Sequence, residues 1–162
     1  MTGDRGPVAR WVLVVTLALS LAGLGVSGYL TFTHFFGTRY LACSTTGFVE
    51  CGVVTTSPQS TLLGIPVAVL GLASFAALSA LTTPWAWRSA RAWPHLVRTA
   101  LVVVSMAMVL WLVAAELLII GHICVWCTAV HVITFALFAI VLAVSPTTRA
   151  RPSARGSGAP TR

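Results

Sequence analysis

The chain is almost without charge. Only 8% of its 162 residues are charged, three of these are acidic, and all ten basic residues are arginine. Soluble domains carry roughly 25% charged residues, so a solvated globular surface is excluded. Apolar residues take the place of charge: 57% of the chain is hydrophobic, more than a soluble core of this size needs, which places the chain among integral membrane proteins. A net charge of +7 would suggest nucleic acid in a soluble protein. No basic face with interleaved aromatics is present to follow a phosphate backbone, and nucleic acid is set aside as a partner.

Long polar stretches are scarce too. Four apolar segments, at roughly 11–33, 62–82, 99–121 and 124–145, each hold about 20 residues, enough at ~1.5 Å rise per residue to cross a ~30 Å hydrocarbon core. They predict an all-α integral membrane fold, a four-helix transmembrane bundle. The last two are joined only by "GHI", with Gly121 allowing a tight turn. The second carries small residues, Gly64, Ala68, Gly71, Ala73, Ala76, Ala77 and Ala80, a packing stripe of the kind that lets helices approach closely in lipid. The first follows Arg5 and Arg10, but its apolar run is longer than a signal peptide's and no clear cleavage site follows.

With four spans, the arginines separate. Arg5 and Arg10, then Arg88, Arg91 and Arg98, then Arg149, Arg151, Arg155 and Arg162 share one side, and only Arg39 is opposite. The positive-inside rule makes the arginine-rich side cytoplasmic. This predicts a multi-pass membrane protein with both termini in the cytoplasm. Residues 1–145 form the membrane domain, and 146–162, rich in Pro, Gly, Ser and Arg, a basic disordered cytoplasmic tail. The loop at 34–61 then faces outward. Phe35, Phe36, Tyr40, Leu41 and Phe48 make it too apolar for a free linker, and it is expected to fold onto the bundle as a short helix or cap.

There are four cysteines, Cys43, Cys51, Cys124 and Cys127, and span parity places all of them at the outer face. An even number of thiols in an oxidising compartment suggests disulfide chemistry. Cys43 and Cys51 can staple the loop, a structural role worth roughly 2–3 kcal/mol. Cys124 and Cys127 close too small a ring to stabilise much. At a helix N-terminus their spacing instead lowers a thiol pKa, because helix-end N–H groups stabilise the thiolate. A tetrahedral zinc site is the remaining alternative, and no metal is expected. Two pairs on one face suggest a relay by thiol–disulfide exchange, and for Cys127, one turn deeper than Cys124, a membrane quinone is the natural acceptor.

Cys124, Cys127, His131, Phe135 and Phe138 recur at spacings of three and four, which predicts one helical stripe. A histidine within a membrane segment is costly and marks a functional site or a satisfied interhelical hydrogen bond. Glu116 is the only acid inside a span. Proton delivery to a quinone, pairing with His131 and a structural hydrogen bond are its alternatives.

The combination "LACSTTGFVEC", "TTSPQSTLLGIPVAVLGL" and "AELLIIGHICVWCTAVH" resembles the bacterial vitamin K epoxide reductase family over residues ~12–143. The resemblance implies a four-helix bundle around a quinone, with an extracytoplasmic loop cap. It implies that Cys43 exchanges with a thioredoxin-fold partner, that Cys51 passes the reducing equivalents to Cys124, and that Cys127 faces the quinone. Ser57 stands where the family has a serine near the active centre. Ser60 replaces an asparagine of some members, and His131 replaces a tyrosine of the animal enzymes; both positions contact the quinone there. Many bacterial members carry a fused thioredoxin-like domain after a fifth helix. This chain shows neither, which implies a stand-alone form with a DsbA-like partner in trans.

The expected activity is that of a membrane thiol–quinone oxidoreductase supporting disulfide bond formation, with menaquinone or ubiquinone as acceptor. Two alternatives stand beside it. One is thiol-driven reduction of a vitamin K quinone or epoxide. The other is a non-enzymatic membrane module with structural disulfides or a metal site.

Overall fold

The computed structural model describes residues 8–43 and 47–145. Helix α1, Arg10–Phe36, is one apolar run whose buried polar members are small: Thr16, Ser20, Ser27 and Thr33. The Thr16 and Ser20 hydroxyls donate to carbonyls one turn back, Val12 O at 2.7 Å and Thr16 O at 2.8 Å. Such back-bonding lets a small polar residue face a neighbouring helix with its hydrogen bond made. The helix stops at Gly37, whose φ of +109° L side chains avoid.

The loop that follows is ordered around its second cysteine. A single 3₁₀ turn at Thr38–Tyr40 precedes a short helix α2, Cys51–Thr56, and a second 3₁₀ turn at Pro58–Ser60. The loop therefore forms a cap containing a short helix, as its apolar content requires. A small hairpin comes next, β1 (Thr61–Leu62) and β2 (Ile65–Pro66). Leu63 and Gly64 at its tip have φ of +52° and +81°, a conformation no right-handed helix contains.

That tip corrects the second apolar segment. Hydropathy carries it from residue 62, but helix α3 is Val67–Leu81. At 15 residues it covers about 22 Å. Three other helices are long and apolar enough to cross a membrane: Arg10–Phe36, Ala92–Ile120 and Val125–Val144. The last is α6. The Ala92–Ile120 stretch consists of helix α5, Ala92–Ala114, and a π-helical turn, Ala115–Ile120. It begins seven residues before the expected 99, because Ala92–Arg98 is already helical. Between α3 and α5 lies α4, Pro84–Arg88, capped by Thr83, whose Oγ1 accepts from Ala86 N at 3.4 Å. Gly121, with φ of +71°, makes the tight turn into α6. The expected tail, residues 146–162, and Arg5 lie outside the described residues.

Helix α1 lies against α3 and α6, and α5 lies against the same two, so four helices close a ring. Their outward faces are apolar: Leu21, Val103, Leu110, Leu118 and Val132 are all exposed. Apolar outside with small polar groups inside suits lipid as solvent. At the end of the bundle that holds Arg10, Arg88 and Arg98, the core is Val12, Leu13, Phe75, Leu78, Trp87, Val102, Leu137 and Val141. Gly23 sets the α1–α3 approach, since a Cβ there would sit 2.3 Å from the Phe75 ring. Gly23→Leu is expected to cost about 1–3 kcal/mol by overpacking. Thermal unfolding in detergent checks this. In a Gly23→Leu/Phe75→Leu double variant the loss should be smaller than the sum of the single losses.

Arg98 is more than a topology signal. It is 1% exposed and its guanidinium lies 3.4 Å from the Trp87 ring centroid. Nη1 donates to Leu81 O at 3.0 Å, closing the last turn of α3, and Nη2 donates to His95 Nδ1 at 2.9 Å. With Nδ1 accepting, His95 is neutral and its Nε2–H donates to Ser89 O at 3.1 Å. The segment at 82–98, which hydropathy leaves as the loop between the second and third apolar segments, is thus a folded plug at this end of the bundle.

Candidate active site

The four cysteines meet at the opposite end. Cys43 and Cys51 form a disulfide, with Cα atoms 6.1 Å apart. Cys51 opens α2, and its position is set by a backbone bridge between Val49 and Ile123. Glu50 N donates to Ile123 O at 3.1 Å, and Ile123 N donates to Phe48 O at 2.8 Å. Cys51 follows one side of this bridge and Cys124 follows the other, and both side chains are fully buried. They pack in one cluster with Val54, which Cys43, Cys127, Ile120 and Trp126 complete.

The segment leading to Cys43 is held from two helices. Trp126 Nε1 donates to Ala42 O at 2.8 Å. Tyr29 Oη accepts from Ala42 N at 2.7 Å and donates to Tyr40 O at 2.8 Å. The two rings meet edge to face at 5.0 Å. Reading the cysteine motif alone gives no role to its two intervening residues. Trp126, the second of them, ties the motif to the other cysteine pair.

Cys124 and Cys127 are free thiols. Cys124 is the N-cap of α6, and its Sγ accepts from Cys127 N–H at 3.3 Å. A hydrogen bond from the Cys127 side chain, helped by backbone N–H groups, holds the Cys124 thiol below its ordinary range against the opposing effect of burial. The place of Cys124 at the start of the helix is the one the spacing predicts, while the largest lowering effect comes from the Cys127 side chain and not from the helix end.

Below the cluster, the helix ring encloses a mostly apolar cavity of about 400 Å³, within the usual range for a small-molecule site. Of the four cysteines, only Cys127 lines it. Ser57 and Ser60 from the cap, Glu116 from the π-helical turn and His131 from α6 line it as well. The sequence-predicted residues therefore converge: three cysteines above, Cys127 at the boundary, and the four others around the cavity. Ala68, Gly71 and Ala73 of the α3 stripe also border it, so part of that stripe makes room for a ligand as well as for a helix.

Phe135 and Phe138 depart from the expected stripe. The cavity-facing line of α6 runs Cys127, Val130, His131, Thr134. Four residues past His131 overshoots that direction by about 40°, and Phe135 emerges 59% exposed. Phe138 packs on the core at the arginine end. His34, Gln59 and Thr134 also line the cavity and were missed. For His34 a signal existed: Ser27, Leu30 and His34 share one face of α1 at helical spacing.

The polar groups of the cavity differ in what they have left to offer. Ser57 Oγ donates to Val54 O at 2.8 Å, and Ser60 Oγ donates to Ser57 O at 2.6 Å. Thr134 Oγ1 donates to Val130 O at 2.9 Å. Glu116 and His131 are 6% and 8% exposed, and neither side chain shows a hydrogen bond to another described residue. Both residues line the cavity. The arrangement supports thiol–disulfide exchange in the cluster and two-electron transfer to a lipid-soluble acceptor below it.

Residues 14–142 match the model of the vitamin K epoxide reductase family. No curated protein matches the chain.

Proposed function

Because the chain belongs to the vitamin K epoxide reductase family, whose members are membrane disulfide–quinone oxidoreductases, we propose that it re-oxidises an extracytoplasmic DsbA-like protein and reduces a membrane quinone. The observation that carries this reading is the place of Cys127. It belongs both to the buried cysteine cluster and to the wall of the apolar cavity, so it alone can join protein thiols to a lipid-soluble acceptor.

In this reading Cys43 meets the partner. A partner thiolate attacks Cys43 Sγ, breaking the Cys43–Cys51 bond and releasing the Cys51 thiolate. The partner's second thiol then displaces Cys43, and the partner leaves as a disulfide. Cys51 passes the electron pair to the Cys124–Cys127 disulfide by attacking Cys124, and Cys43 closes on Cys51 to restore the loop disulfide. The chain as described here, with the loop pair oxidised and the other pair reduced, is then the state poised to reduce the acceptor. A bound quinone, menaquinone or ubiquinone, accepts two electrons and two protons. Cys127 gives up the electrons at the cavity wall, and Cys124 closes on it to regenerate the disulfide. Glu116 and His131, which line the cavity, hold protons beside the acceptor in this reading. The apolar lining excludes water, which favours transfer within the site over leakage.

The sidedness follows from the arginine distribution: both termini in the cytoplasm, the cap and all four cysteines outside, and residues 1–145 acting as one membrane unit. The direction of flow is set by the potential gap between partner and quinone, with about 30 mV equivalent to about 1.4 kcal/mol for two electrons.

Reconstitution tests the reading. Purified protein in liposomes is supplied with a quinone and a reduced DsbA-like protein, and quinol formation is followed by absorbance. The expected result is one quinol formed per partner disulfide. No quinol above a protein-free control, with both thiol pairs intact, would sink the proposal.

A further inference from the structure

A quinone head group presents two carbonyl oxygens, and both are hydrogen-bond acceptors. In an apolar cavity an unpaired acceptor is costly, and donors are the scarce resource. Counting donors around the cavity separates its two sides. Toward α6 and the end of α5 stand His131 and Glu116, the latter a donor when protonated, and Ser27, Ser74 and Ser105 line the helix walls between the two ends. On the cap side the obvious candidates are already engaged. Thr55, Ser57 and Ser60 each donate their only hydroxyl proton to a cap carbonyl, at 2.8, 2.8 and 2.6 Å. They retain lone pairs and so offer only acceptor capacity to an acceptor.

Two other side chains border the same side. His34 reaches the cavity from the last turn of α1, and Gln59 reaches it from the turn between α2 and the hairpin. Both are half-buried. Each keeps an N–H donor that no hydrogen bond among the described residues engages. A neutral imidazole has one such donor and a carboxamide has two.

We propose that His34 and Gln59 hold the cap-side carbonyl of the quinone as hydrogen-bond donors, while His131 and Glu116 serve the other carbonyl. The inference rests on the quinone-reductase reading above and adds residues that set affinity and orientation. A head group held at both ends cannot rotate in the cavity, so one edge stays presented to Cys127. Ser57 and Ser60 then shape the cap that carries Gln59, and their hydroxyls do not donate to the ligand.

The test uses the full chain in detergent with menadione as the probe. It measures menadione binding by quenching of intrinsic tryptophan fluorescence, the KM and kcat of menadione reduction, and the rate of dithiol exchange at Cys43–Cys51. His34→Ala and Gln59→Leu are each expected to raise the dissociation constant and KM for menadione about tenfold. The exchange rate should be unchanged. His34→Gln keeps a donor at that position and should restore KM to within about threefold of wild type. Thermal unfolding of each variant identifies any that fails to fold, and His34→Gln then carries the test through comparison with His34→Leu.

If wild type reduces menadione and the variants bind it with unchanged constants, the pair does not touch the quinone. A fall in kcat with KM and binding unchanged would be equally fatal to the proposal. If wild type neither binds nor reduces menadione, the quinone-reductase reading falls and the pair falls with it.

Discussion

Cys127→Ala is expected to abolish quinone reduction, by on the order of a thousandfold or more, as removal of a nucleophile does elsewhere. Of the four cysteines it alone lines the cavity, so no other thiol can take its place beside the acceptor. The substitution also leaves a specific trace. Cys124 keeps its buried position next to Cys51 and the backbone N–H bond it accepts as the α6 N-cap, while losing the hydrogen bond from the Cys127 side chain that lowers its thiol most. Attack by the Cys124 thiolate on the Cys43–Cys51 disulfide gives a Cys51–Cys124 bond and a free Cys43 thiol, with no outside oxidant required. Two thiols can resolve this bond in wild type: Cys127 by displacing Cys51 from Cys124, which leaves a Cys124–Cys127 disulfide and two free loop thiols, and Cys43 by closing again on Cys51. The variant keeps only the Cys43 route, so a larger fraction of the Cys51–Cys124 bond than in wild type is expected by mass spectrometry of proteolytic fragments. A Cys127→Ala protein that reduces quinone at even a tenth of the wild-type rate would show that electrons leave by another route.

Cys51→Ala has the second largest expected effect, at the other end of the relay. Cys43 becomes a free thiol, and when it attacks an oxidised thioredoxin-fold partner the resulting mixed disulfide lacks the thiol that displaces the partner on the membrane side. A covalent Cys43–partner adduct should be visible on a non-reducing gel, and turnover should be lost. The variant also loses the loop disulfide, whose sequence separation of 8 corresponds to about 2–3 kcal/mol by loop closure. Cys43→Ala separates the two effects. It removes the same crosslink and should lower thermal stability by a similar amount, but it should form no adduct. Adducts of equal yield in both variants would mean that Cys43 is not the thiol that meets the partner.

These outcomes rest on features of different legibility. The membrane class, the three long helices and the turn at Gly121 follow from hydropathy and one residue's conformational freedom, which are properties of short stretches of chain. The hairpin at Thr61–Pro66 was hidden because Leu62, Leu63 and Ile65 are as apolar as helix residues. Hydropathy does not register that Leu63 and Gly64 are left-handed. Arg98 was hidden for the opposite reason: a charge near a helix end normally marks a boundary, and only the Trp87 ring and the Leu81 carbonyl beside it make it a buried plug. Phe135 and Phe138 fit a helical spacing that was right for α6 as a helix. Which sector of that helix faces the cavity depends on where α1, α3 and α5 stand.

By itself the sequence determined a helical membrane protein with two cysteine pairs, one of them placed where a helix begins. Spacing and hydropathy are local, and a helix enforces them wherever it sits. Only the tertiary structure decided that a bridge between Val49 and Ile123 brings Cys51 to Cys124. It also decided that, of the four cysteines, Cys127 alone lines the cavity, and that the cap hydroxyls are already engaged while His34 and Gln59 make no hydrogen bond through their side chains among the described residues. Those facts depend on backbone register and helix rotation between segments distant in sequence. Many weak contacts set them together, and no single stretch of the chain encodes them.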